Sequence, residues 1–156
     1  MTCSDIRIRD TVFAGNSGGP GGAIFGSGEV TITGCTFIGD DILIEQLGSV
    51  GTVNNSIISN AGCLGPITST CTNVFGISQG DSLCGIDGGG NFSADPEFCG
   101  VDPVASRNFA LQADSPCAPG RHPNGASCGL IGAVPVGCDA VSVEATTWSR
   151  LKSLYR

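Results

Sequence analysis

IRIRDTVFAGN (residues 6–16) and VTITGCTFIGD (residues 30–40) lie on one another at an offset of 24. Ile6 meets Val30, Ile8 meets Ile32, Thr11 meets Cys35, Phe13 meets Phe37, Gly15 meets Gly39 and Asn16 meets Asp40. The match alternates with period two, as a strand with one buried face does, and then breaks at a turn. A third copy, GTVNNSIISNA (51–61), follows at an offset of 21 and sets Val53 on Ile32, Ser56 on Cys35, Ile58 on Phe37 and Asn60 on Gly39. A fourth, frayed copy surrounds CTNVFGI (71–77).

Units of this length, rich in β-formers and separated by Gly, Asn and Asp turns, predict an all-β parallel solenoid. One unit cannot bury its own apolar row. Units stacked about 4.8 Å apart hydrogen-bond strand to strand and place like residues over like. Positions 30, 32, 35 and 37 are expected to point inward, Thr31, Thr33 and Thr36 outward, and Thr33-Gly34 to turn the corner. Asn16, Asp40 and their neighbouring glycines are expected in left-handed or bridging conformations. An antiparallel sandwich also has regularly spaced strands, but it does not explain residue-by-residue correspondence at fixed offsets. A cysteine-stapled small domain would suit only the second half.

The 156 residues suffice for one domain with a core. Fourteen acidic against seven basic residues give a net charge of −7. Three of the basic residues, Arg150, Lys152 and Arg156, fall within the last seven positions. No basic stripe is present to neutralise phosphates, which argues against nucleic acid as a partner. No run of apolar residues is long enough to span a membrane.

Nine cysteines (Cys3, Cys35, Cys63, Cys71, Cys84, Cys99, Cys117, Cys128 and Cys138) accompany a single histidine, His122. They avoid the close pairs of zinc ribbons, so disulfides in an oxidising compartment outside the cytosol are expected. Residues 1–20 lack the charged and apolar regions of a signal peptide. With the odd cysteine count, this leads to the expectation of a fragment of a longer exported protein.

At these residues the chain resembles a known family. VTITGCTFIGD and VNNSIISN look like the repeat of the right-handed parallel β-helix (pectin-lyase-like) proteins secreted by bacteria. The stretch GNFSADPEFCG (90–100), with NFALQADSPCAPG (108–120) and CGLIGAVPVGC (128–138), is similar to the closing module often labelled choice-of-anchor Q. The tail TTWSRLKSLYR (146–156) resembles the last residues of many such exported proteins, and its spacing suggests a short terminal helix.

The resemblance implies a cell-surface or secreted β-helix, usually without demonstrated enzymatic activity. The expected organisation is β-helix coils over 1–87, a Cys-rich closing cap over 88–138 and a tail over 139–156. Phe98 is expected to plug the open end of the apolar column, with Phe109, Leu111, Leu130, Ile131 and Val134 turned inward. The disulfide candidates are Cys84 with Cys99 and Cys117 with Cys128, then Cys63 with Cys71; other connectivities stay open.

Candidates for chemistry are few, and each has a structural reading beside it. Asp40 and Asp41, one coil from Asn16, are hard oxygen donors that could hold Ca²⁺, or simply polar turn residues. Asp87, Asp95 and Asp102 could form a calcium or acid/base cluster, although a turn accounts for Asp95-Pro96. Arg7 and Arg9 are the only bases beside acids that a polysaccharide lyase could use, but surface ion pairing explains them equally. His122 lacks a nucleophile signature, GGPGGAIFGSG (18–28) lacks the lysine of a phosphate loop and reads as a turn, and NNS (54–56) and NFS (91–93) match the glycosylation sequon. The expectation is a non-catalytic structural or adhesive module with no catalytic or cofactor-binding residues, contacting surface glycans or an extracellular protein. The rival is a fragment of a carbohydrate-active β-helix enzyme.

Overall fold

In the computed structural model, residues 5–16, 23–26, 28–39, 42–44, 50–61, 63–76 and 85–138 are described. The tail 139–156 and its expected helix, Asp40, Asp41 and Cys84 lie outside them.

Among the described residues, twelve short strands occupy the N-terminal part of the chain: β1 (Ile6–Arg9), β2 (Val12–Ala14), β3 (Ile24–Gly26), β4 (Glu29–Thr33), β5 (Thr36–Ile38), β6 (Ile42–Ile44), β7 (Val50–Asn54), β8 (Ile57–Ser59), β9 (Cys63–Leu64), β10 (Ile67–Thr70), β11 (Asn73–Phe75) and β12 (Ile86–Asp87). They form three parallel sheets, ordered β1-β4-β7-β10-β12, β2-β5-β8-β11 and β3-β6-β9. Each of the first three sequence repeats therefore adds one strand to each sheet in turn, and the fourth adds β10 and β11. The register follows the sequence offsets: Ile8 pairs with Ile32 and Ile32 with Val53, while Phe13 pairs with Phe37 and Phe37 with Ile58. The fourth copy joins after a shorter step, with Val74 on Ile58. The third sheet is a correction, because GGPGGAIFGSG was expected to be a turn and its Ile24–Gly26 is β3.

Val30, Ile32, Cys35, Phe37, Val53 and Ile58 are fully buried and form one core with Ile67 and Val74. Phe13 and Phe37 stack face to face with centroids 4.8 Å apart, the spacing of the strands that carry them. Burying Phe37 contributes about 3–5 kcal/mol, judged from what truncating a core phenylalanine costs.

Two rows of left-handed residues turn the corners. The first runs Asp10, Gly34, Asn55, Cys71 and Gly90; the second runs Gly15, Gly39, Asn60 and Gly76. In the first row the N–H groups of Asp10, Gly34 and Asn55 donate to the carbonyls of Thr33, Asn54 and Thr70, and that of Cys71 to Gly89. Asn and Asp tolerate this conformation, which is why they alternate with glycine here. Gly90 has no substitute, since a Cβ there would stand 2.9 Å from Cys128 Sγ and 3.1 Å from Cys71 Sγ.

Residues 91–138 contain little regular structure: isolated bridges join Asn73 to Phe92, Phe98 to Leu111 and Leu111 to Val136, and one turn of helix, α1, spans Pro103–Ser106. Their core is a second cluster in which Phe92, Leu111, Cys117 and Ile131 pack on Ile57, with Phe98, Cys128 and Leu130 at its margin. Ile57 belongs to the outer row of its sheet, beside Thr36 and Asn73. The cap thus lies along the flank of the strands. Two expectations are corrected by that placement. Phe98 packs in the flank cluster rather than plugging the apolar column, and Thr36, expected to face solvent, is buried because Ala133 N–H donates to its Oγ1 at 3.0 Å.

Among the described residues the disulfides are Cys71–Cys128 and Cys99–Cys138. The expected pairings Cys84–Cys99, Cys117–Cys128 and Cys63–Cys71 are therefore corrected. Spacing along the chain favours short local loops, whereas the cap is tied back to the strand repeats and to its own end. Cys35 and Cys117 are buried free thiols.

Candidate functional site

The outer face of the β1-β4-β7-β10 sheet is the most regular surface of the molecule. Alternation sends Val30, Ile32, Val53 and Ile67 inward, so their neighbours point outward in two rows. One row is Arg7, Thr31, Thr52 and Thr68, and the other is Arg9, Thr33, Asn54 and Thr70. The Thr and Asn side chains are half-buried by one another, while Arg7 and Arg9 are exposed. Hydroxyls then recur about every 4.8 Å across the strands and about every 6.6 Å along them. The second row ends at Gly88, where a Cβ would fall 2.2 Å from Thr70 Oγ1.

The three candidate acids stand in three separate turns. Asp87 Oδ1 accepts from Gly89 N–H at 2.8 Å and from Asn91 Nδ2 at 2.6 Å. Asp95 Oδ1 accepts from Glu97 N–H at 2.9 Å, closing the turn after Pro96. Asp102 caps α1, its Oδ1 accepting from Ala105 N–H at 2.9 Å with Pro103 opening the helix. The Asp-Pro pair at 102–103 carries that helix signal, a cap residue before a proline in the first turn, and its chemistry as a carboxylate obscures it. Among the described residues no three His, Cys, Asp or Glu side chains gather closely enough to hold a metal ion.

His122 is a pin for the cap. Its Nδ1 accepts from Asn124 N–H at 3.2 Å, which assigns the proton to Nε2, and Nε2 donates to Gly90 O at 2.8 Å. The ring meets Phe92 edge-on at 4.7 Å.

Sequence reasoning missed the side chains that join cap to repeats. Asn73 Oδ1 accepts from Ala94 N–H at 3.1 Å, while its Nδ2 donates to Ala94 O at 2.9 Å and to Cys117 Sγ at 3.2 Å. Asn55 Nδ2 donates to Cys128 O and, at 3.3 Å, to Leu130 O. Asn91 Oδ1 accepts from Thr72 N–H at 2.9 Å, and Nδ2 donates to Ser69 O at 2.8 Å. For Asn73 the signal available was an asparagine in a row otherwise held by Val12, Thr36 and Ile57.

Burial pushes the Cys117 thiol up to about 12, the hydrogen bonds from Asn73 and Ser115 only partly offsetting it. Burial likewise raises the Cys35 thiol. Both are therefore protonated and inert in the folded chain at neutral pH. Ser69 Oγ is buried without a hydrogen-bond partner, in the row otherwise held by Ile8, Ile32 and Val53.

The second corner row opens onto a groove. Gly15, Gly39, Asn60 and Phe75 form one wall, and residues 95–104 form the other, enclosing about 690 Å³. Val104 reaches back to the first repeat, since a Cβ on Gly15 would lie 3.6 Å from it.

These features define a β protein of stacked parallel sheets with a disulfide-tied cap, and no helix among the described residues is long and apolar enough to cross a membrane. No protein-family model, curated protein or solved structure matches the chain.

Proposed function

We propose that the three sheets close into a right-handed parallel β-helix of the pectin-lyase-like, bacterial secreted type. In this reading the closing module is of the choice-of-anchor Q kind, and the chain serves outside the cytosol as a non-catalytic structural or adhesive module. One strand per sheet in each of the first three repeats supports the winding, and parallel crossovers are right-handed in nearly all known cases. Two disulfides support an oxidising compartment.

The adhesive role rests on the two outward rows of the β1-β4-β7-β10 sheet. A flat lattice of hydroxyls and one amide, with little side-chain entropy to lose, fits the repeating hydroxyls of a surface polysaccharide. The acids at 87, 95 and 102 are engaged by backbone N–H groups, which supports a structural role for them.

The test is co-sedimentation with insoluble polysaccharides, comparing the protein with the triple variant Thr31→Val, Thr52→Val, Thr68→Val. Valine keeps shape and strand preference but removes the hydroxyls. Loss of binding at unchanged Tm is expected; undiminished binding would remove the glycan-contact reading. Release of unsaturated product from uronate oligomers in the presence of Ca²⁺ would instead establish the carbohydrate-active enzyme, with Arg7 and Arg9 as its bases.

A further inference from the structure

The groove between the second corner row and residues 95–104 has an unusual lining. Asp95, Glu97 and Asp102 bring three acids to it, and among the described residues none that lines it is basic. Two of these carboxylates are fixed by backbone N–H groups of a turn and a helix cap, so the negative charge stands in defined places. Between the acids lie Phe75, Phe98 and Val104, with Val101 fully exposed at the rim. The groove passes four successive corner residues, Gly15, Gly39, Asn60 and Gly76 or its neighbour Phe75, a span of three strand spacings or about 14 Å. An extended peptide of about four residues covers that length.

The chain carries a segment of matching chemistry. Residues 148–156, WSRLKSLYR, alternate cations with apolar and aromatic side chains and hold three of the seven basic residues. Their point of departure is also fixed. Cys138 is bonded to Cys99, and Cys99 sits between Phe98 and Gly100, two residues of the groove wall. Residues 139–145 reach at most about 25 Å when extended, more than enough to bring 146–156 over the groove.

We propose that this groove is the docking site of the chain's own basic segment 148–156, its cations against Asp95, Glu97 and Asp102 and its apolar side chains over Phe98 and Val104. The Cys99–Cys138 disulfide then serves as a short tether. It sets the local concentration of the segment in the millimolar range, where even weak charge pairing fills the site. The segment is withheld from other partners while docked, and salt or a competing basic peptide releases it.

Trp148 is the only tryptophan, so acrylamide quenching of the full-length protein reads the segment directly. At low salt the quenching constant is expected at least about twofold below that of a synthetic peptide of residues 146–156, a site half-filled or more. About 1 M NaCl, where screening acts within about 3 Å, should restore the peptide value. So should Glu97→Lys, and so should the pair Arg150→Glu, Lys152→Glu, which leaves every described residue untouched. Combining Glu97→Lys with Lys152→Glu should recover some of the protection. Peptide-like quenching in the unmodified protein would overturn the proposal. Protection that survives both salt and the charge reversals would overturn it too, by placing the segment elsewhere. Protection that rises with protein concentration would assign the groove to the segment of a second copy.

Discussion

The strand repeats and the cap solve the same problem in opposite ways. In the repeats, strand backbones pair with the strands of adjacent copies, and side chains stack on their counterparts, as Phe13 does on Phe37. In residues 91–138 the backbone makes isolated bridges, and order comes from side chains reaching main chain: Asn55, Asn73, Asn91, Ser115 and His122. Periodicity lets a chain stabilise itself with few residue types. An aperiodic cap must specify each contact, and this one adds covalent bonds.

That contrast can be broken at either side. The largest effect is expected from Phe37→Ala, which opens a void between Phe13 and Ile58 and should cost about 3–5 kcal/mol by urea unfolding. Removing the Cys71–Cys128 bond as the double alanine variant should cost about 2–4 kcal/mol, less whatever the hydrogen bonds of residues 128–133 to Asn55 and Thr36 retain. Hydrogen exchange should localise that loss to residues 91–133 while the strand amides of β4, β5, β7 and β8 keep their protection. Equal loss of protection in both regions would mean that repeats and cap fold as one unit.

The smallest effect concerns pH. Cys117 titrates near 12 when folded and near 9 when unfolded, so the unfolded chain releases its proton first as pH rises. Stability should be insensitive to this group below pH 9 and should fall between pH 9 and 12 by about 1.4 kcal/mol per unit. Cys35 adds to the fall in the same direction. The Cys117→Ala variant should show a shallower decline above pH 9, and an identical decline would exclude the buried thiol as its source.

The repeats were legible because their physics is local and repeated. Offsets of 24 and 21 translate into the pairings Ile8–Ile32 and Ile32–Val53, and the inward set 30, 32, 35 and 37 is buried. Even there the third sheet leaves little trace in the sequence, since β3 and β9 are short and Ile24–Gly26 lies among glycines. The cap's contacts are set by shape and by partners far away in sequence, and these leave no periodic trace. Cys71 illustrates the point. Its neighbour in space is decided by the left-handed corner at φ +51° and by the absence of a Cβ on Gly90, not by spacing along the chain. Thr36 reads as a surface residue in its own repeat and is buried only because Gly132 and Ala133 cross over it.

The segment 128–133 crosses three repeats at their first corner. Cys128 is bonded to Cys71, Leu130 O and Gly132 N–H meet Asn55, and Ala133 N–H meets Thr36. Its consequence is mechanical. Traction along the stacking axis of parallel strands would peel the layers away singly, each breaking only its own few hydrogen bonds. A covalently anchored strap lying parallel to that axis makes the second, third and fourth layers share the load. The protein should therefore resist stretching along its axis more than its short strands alone would allow, and reducing agents should abolish most of that toughness.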